Sequence, residues 1–184
     1  MVIFDLIQMN IFFLHRNPKT NAQYHCDKHV VKMLLEAVQI LYCAHWMTDP
    51  DGIRWKVSCR TKTKTAKLIG PYKKAHPNHP CSIWVRESIS NYKYLCLIAM
   101  SLCEEYTFRY SKIHGCQIHL NWLIKNIPQN IKCHELTNLP IVIKGNEIKN
   151  PILAYRNYYN TEKKRFAKWS KRSPPPWFSP KDTF

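Results

Sequence analysis

The sequence predicts a mainly α-helical protein, a single compact domain with long helices, a basic loop and the option of one short N-terminal strand. Apolar residues return every three or four positions along residues 22–46 and 80–110, the period of an amphipathic helix. Proline and asparagine stand where helices would begin or stop. With 45% apolar residues and 4 glycines in 184, the chain has the makings of a real core, unlike a disordered basic tail.

In chain order, the short apolar run MNIFFL at 9–14 suits a buried strand or the inward face of an extended segment. Pro18 with Thr20 or Asn21 then offers turn and cap chemistry for a helix from Ala22 to Trp46, with Val31, Leu34, Leu35, Val38, Leu41 and Tyr42 as its apolar stripe. Residues 48–80 carry DPDG, GPY and HPNHP punctuation and read as a loop with at most short regular pieces. Asn78 is placed to cap a helix from Pro80 to Tyr110, long enough to hide a kink or break, and a third helix runs from Ile113 to Lys125. Residues 131–150 show little pattern. Asn150 followed by Pro151 opens the last helix, on which Ile152, Tyr155, Tyr159, Phe166 and Trp169 share a face. Pro174, Pro175 and Pro176 end helical structure and leave 171–184 as an extended tail carrying Trp177 and Phe178, to be pinned to the body or offered to a partner.

Lysine and arginine number 28 against 12 aspartates and glutamates, a formal charge of +16. Such a field attracts polyanions, so the expected partner is nucleic acid, double-stranded DNA first; an anionic membrane surface and a purely solubilising charge are the competitors. No membrane role is expected, because MVIFDLIQMNIFFL lacks a basic leader and is broken by Asp5, Gln8 and Asn10. Eight cysteines are scattered singly, with no CxxC pair. Cys26, Cys43, Cys96 and Cys103 fall in expected helices as small hydrophobes, which points to an intracellular, reducing compartment. Four glycines leave no room for a nucleotide-binding glycine loop, and no internal repeat or zinc-finger spacing is present.

Three groups of residues carry chemistry. Between Arg54 and Lys74 the chain has Arg54, Lys56, Arg60, Lys62, Lys64, Lys67, Lys73 and Lys74 and no acidic residue, a candidate phosphate-contacting arm. In YHCDKHVVKMLLE, His25, His29, Lys32 and Glu36 are spaced four, three and four apart, one face of a helix combining imidazole, ammonium and carboxylate. That face is either solvated and paired within itself or a place where protons and phosphates are handled. In HPCSIWVRESISNY, Arg86 with its planar fork suits a phosphate, and Glu87, Ser90 and Asn91 extend a mixed polar patch. Glu104, Glu105 and Arg109 make a further pairing set. A zinc site from Cys26, His29, His76 and His79 is a minor alternative.

MNIFFL, DKHVVKMLLEAVQIL and NHPCSIWVRESISNYKYLCLIAMSLCEEY together resemble the pyrimidine-dimer DNA glycosylase family, which includes small proteins of phages and large DNA viruses; the resemblance spans Met9 to Tyr110. It implies a helical protein that flips a nucleotide, cleaves a glycosidic bond through an imine formed by an N-terminal amine, and breaks the strand by β-elimination with help from a glutamate. This chain departs from the pattern at that point, because eight residues precede Met9 and the position matching the family's glutamate is His29, with Lys28 and Lys32 near basic positions and Glu36 two turns on.

The expected function is therefore a base-excision DNA glycosylase with AP-lyase activity on damaged or modified bases. The alternatives are a noncatalytic nucleic-acid-binding protein and, behind it, a small structural zinc protein. His29, Glu36 and His25 are the candidate catalytic residues. Lys28, Lys32, Arg60, Lys62, Lys64, Lys73, Lys74, His79 and Arg86 are the candidate nucleic-acid contacts. The expected chemistry uses no metal and no cofactor.

Overall fold

The computed structural model describes residues 9–52, 57–60 and 66–179. It is mainly helical: α1 (Pro18–Tyr24), α2 (Asp27–Thr48), α3 (Pro80–Glu87), α4 (Ile89–Tyr110), α5 (Gln117–Lys125) and α6 (Pro151–Tyr158), the last continued by a π-helical turn over Tyr159–Lys163. A two-stranded antiparallel hairpin, β1 (Val57–Arg60) and β2 (Ala66–Ile69), pairs Val57 with Ile69 and Arg60 with Ala66 inside the expected 48–80 loop. The positions of Arg54, Lys56, Lys62, Lys64 and Lys181 lie outside the described residues, and for Arg60 and Lys67 only the backbone is described.

Helix α2 is the centre of the molecule, packed by α3, α4 and α5. It is long and apolar enough to cross a membrane by length and composition, yet most of it is buried inside the protein, as suits a core helix. Val30, Met33, Leu34, Ala37, Val38, Ile40 and Leu41 are buried on it, whereas Val31 and Leu35, expected in the apolar stripe, are each 38% exposed.

The run at 9–14 is buried but joins no sheet among the described residues. Side chains replace a ladder: the Asn10 N–H donates to Glu36 Oε2 at 2.8 Å, the Leu14 and His15 N–H groups donate to Asn21 Oδ1 at 2.6 and 3.1 Å, and Arg156 Nε donates to the Leu14 carbonyl at 2.9 Å. Buried backbone polar groups need such partners, and isolated buried polar residues, not a neighbouring strand, supply them here.

The expected helix 22–46 starts earlier and is two helices. Asn17 caps α1 by accepting from the Thr20 N–H, and the chain turns to extended backbone at His25 and Cys26 before α2 begins. Arg109 explains the break. Its Nη1 and Nη2 donate to the carbonyls of His25 and Gln23 at 2.9 and 3.0 Å, covering the open end of α1, while Nη1 also pairs with Asp27 in the first turn of α2 at 2.9 Å. Glu105 holds Arg109 Nε at 2.7 Å and Arg172 Nη2 at 2.8 Å, so the expected pairing set is a buried clamp across four segments; Glu104 is exposed.

The expected helix 80–110 breaks at Ser88, whose hydroxyl accepts from the Ser90 N–H while the Ile89 N–H donates to the Cys133 carbonyl at 2.9 Å. His79, not Asn78, caps α3, its Nδ1 accepting from the Cys81 N–H at 3.2 Å. Asn150 caps α6 as expected, with Pro151 in the first turn. The tail is pinned to the body: Trp177 lies edge-on to Tyr24 and Tyr159 at 5.8 Å, and Phe178 meets Trp169 at 4.6 Å. Among the described residues six cysteines are buried as free thiols and Cys133 is exposed. Burial pushes the thiols of Cys81, Cys96 and Cys103 up to about 12, as inert packing groups.

Candidate active site

The four residues expected on one polar face of a single helix are divided by the fold. His25 sits in the break before α2 and is 1% exposed; its Nδ1–H donates to the Asn21 carbonyl at 2.7 Å, and burial pulls its pKa down to about 4. His29 points into an aromatic cluster, stacked on Phe12 at 4.7 Å and hydrogen-bonded through Nδ1 to the Tyr159 hydroxyl at 2.5 Å. Burial, reinforced by His25, Lys163 and Lys32, pulls His29 down to about 2, so it is a neutral ring in the core. His29, Lys32 and Glu36, spaced three and four apart, do share α2, but that spacing could not tell which side of α2 the N-terminal thread would cover.

Lys32 and Glu36 define a different place. Here α2 borders a cleft of about 430 Å³ whose lining includes Met9, Leu35, Gln39, Ala75 and His76 together with this pair. Glu36 is 3% exposed. Its Oε2 accepts the Asn10 N–H at 2.8 Å and its Oε1 is 3.2 Å from Lys32 Nζ. Burial pushes the carboxyl above its ordinary value against the Asn10 N–H and the Lys32 ammonium, which both favour the charged form. A carboxyl under such opposed influences, at the edge of a cleft, is a group able to take and return a proton.

The far wall carries a left-handed residue and is braced by Arg86. His76 adopts left-handed backbone at φ 47°, uncommon for a residue with a side chain. Arg86 Nη1 donates to the carbonyls of Pro77 at 2.5 Å and Ser82 at 3.2 Å, which ties the turn carrying His76 to α3. Arg86 thus supports the rim from behind, where a phosphate contact had been expected. His79 caps α3 as described, half-buried. Lys73 and Lys74, directly before Ala75 and His76, are exposed. Lys28, one turn before Lys32, is exposed, and its Nζ lies 5.1 Å from the Phe166 ring.

The expected polar patch after Arg86 grips the patternless segment. Asn91 Nδ2 donates to the Trp84 carbonyl and to Thr137 Oγ1, both at 2.8 Å, and Glu87 Oε2 accepts from Thr137 at 3.0 Å. The zinc alternative finds no gathered ligands: among the described residues no three His, Cys, Asp or Glu side chains are arranged to hold a metal ion. The sequence reading missed Asn10, although an asparagine inside an apolar run is the sort of signal that marks a buried polar contact. No family model, curated protein or solved structure matches the chain.

Proposed function

We propose that the protein is a DNA glycosylase with AP-lyase activity that works at the Lys32–Glu36 cleft. The observation that carries this reading is a primary amine 3.2 Å from a buried carboxyl at a cleft whose rim segment carries two exposed lysines. The nitrogen of Asn10 nearest Glu36 belongs to a peptide bond and cannot act as an amine, so Lys32 takes that role in this chain. His25 and His29, neutral and enclosed, pack the core and position α2.

Lys32 passes a proton to Glu36, and the free amine attacks the sugar C1′. The C1′–N bond breaks and the base leaves with a proton from water. The nitrogen sheds a proton to solvent, Glu36 returns its own to the ring oxygen, and the sugar opens to an imine. The carboxylate then removes a C2′ proton and the 3′-phosphate departs with the C3′–O electrons. Extruding the nucleotide from the duplex gives the amine access to C1′.

Borohydride trapping on an abasic duplex tests this. Wild-type protein is expected to form a covalent adduct and to nick the strand; Lys32→Gln loses the adduct, and Glu36→Gln slows nicking by about 10²–10⁴-fold, the usual weight of a general acid–base group. Salt-dependent duplex binding with neither adduct nor nick would overturn the enzyme reading and leave the noncatalytic nucleic-acid-binding one.

A further inference from the structure

A second cleft lies between the segment that looked patternless in sequence and α6 with its π-helical turn. Its volume is about 360 Å³, and its lining includes Lys144, Asn146, Asn157, Tyr158 and Glu162. The wall is firmly seated: the Tyr155 hydroxyl donates to Asn10 Oδ1 at 2.9 Å and accepts the Val142 N–H at 3.1 Å, and Asn10 Nδ2 donates to the Val142 carbonyl at 3.0 Å. Gly145, at φ 71°, makes the turn, and Asn146 Nδ2 closes it on the Ile148 carbonyl at 2.9 Å.

Tyr158 is the outer member of a run of nearly parallel rings. His29 and Phe12 are 4.7 Å apart at 17°, and Phe12 and Tyr158 are 6.1 Å apart at 12°. Core packing thus fixes the plane of a half-buried ring that borders an open cleft. Lys163 Nζ lies 4.6 Å from the same ring's centroid. An aromatic ring, two side-chain amides, a carboxylate and one lysine around one recess match a ligand that is flat and aromatic, carries donors and acceptors on its edge, and bears an anionic group. That is the chemistry of a nucleotide.

We propose that this cleft binds a single nucleotide, its base against Tyr158 in the place the Lys163 ammonium now covers, its edge toward Asn157 and Glu162, and its phosphate toward Lys144. The site is independent of the lyase reading, since its ligand needs no reaction at Glu36. Glu162, an acceptor only, favours bases that carry an exocyclic amine over thymine.

The test is an NMR titration of the full chain with dAMP, dGMP, dCMP, dTMP and inorganic phosphate. The three amine-bearing nucleotides are expected to bind saturably and more tightly than dTMP, and phosphate alone weakly. Tyr158→Leu should weaken each nucleotide about tenfold or more, the size of a lost base–aromatic stack, while Tyr158→Phe retains binding. Exposed Asn157→Ala and Glu162→Ala serve as variants that leave the fold undisturbed; the first weakens all four nucleotides and the second erases the preference over dTMP. Absence of saturable binding up to about 10 mM, equal affinity for phosphate, or full affinity in Tyr158→Leu with its fold intact would overturn the proposal. None of these outcomes depends on whether the protein cleaves DNA.

Discussion

His25, His29 and His45 are buried, neutral imidazoles with pKa values pulled by desolvation to about 4, about 2 and about 4 from an ordinary 6.5. Because the folded values lie below the unfolded one, the unfolded chain binds more protons as pH falls below 6.5. The stability these rings allow is complete above that value and is lost as pH drops toward the folded values. At pH 5 the loss is about 2 kcal/mol for each ring, about 6 kcal/mol for the three. Glu36, with a raised pKa, acts in the opposite sense: its ionisation costs stability at neutral pH, and that cost is relieved on acidification. Glu105, held below its ordinary 4.5 by Arg172 and Arg109 against its burial, loses its contribution only at lower pH. Urea unfolding at pH 7 and pH 5 should therefore show a decline, and His29→Phe should make that decline shallower by about 2 kcal/mol. A flat profile between those values would mean that the histidines are not enclosed as described.

At the scale of elements, the break between α1 and α2 depends on Arg109, whose side chain is fully buried between Asp27 and Glu105. Arg109→Met strands two helix-end carbonyls and takes one partner each from Asp27 and Glu105, which keep Ser170 and Arg172, and chemical denaturation should register a loss of about 3–5 kcal/mol. Exposed Glu104→Ala on the same helix should change stability by no more than about 0.5 kcal/mol. This contrast also marks the limit of what the sequence made legible. The helical period, the Asn150–Pro151 start and the polar spacing of Lys32 and Glu36 are local signals and were visible. The break at His25 has no glycine or proline to announce it; it is imposed by a guanidinium 84 residues away. The second cleft was illegible for the same reason, because its wall is shaped by contacts to Asn10 and Tyr155, not by a periodic pattern of its own.

For the molecule as a whole, the issue is where an excess charge of +16 acts. Within the described residues Arg86, Arg109 and Arg156 are committed to internal carbonyls or carboxylates, so part of the positive charge is structural. Lys28, Lys32, Lys73 and Lys74 are exposed, and the last three line the Lys32–Glu36 cleft or directly precede its wall. If a duplex lies across that cleft, these lysines release counterions on binding and fix the salt dependence. Each phosphate contact adds about −0.9 to the slope of log K against log salt. The triple change Lys32→Gln, Lys73→Gln, Lys74→Gln should accordingly flatten the slope by about 2.7, measured by fluorescence anisotropy on a duplex at several salt concentrations. A triple change of the exposed Lys112, Lys125 and Lys132, outside the cleft wall, lowers net charge equally but should leave most of the slope in place. Equal flattening by both sets would show a diffuse field and no preferred face, and would remove the cleft as the place where nucleic acid docks.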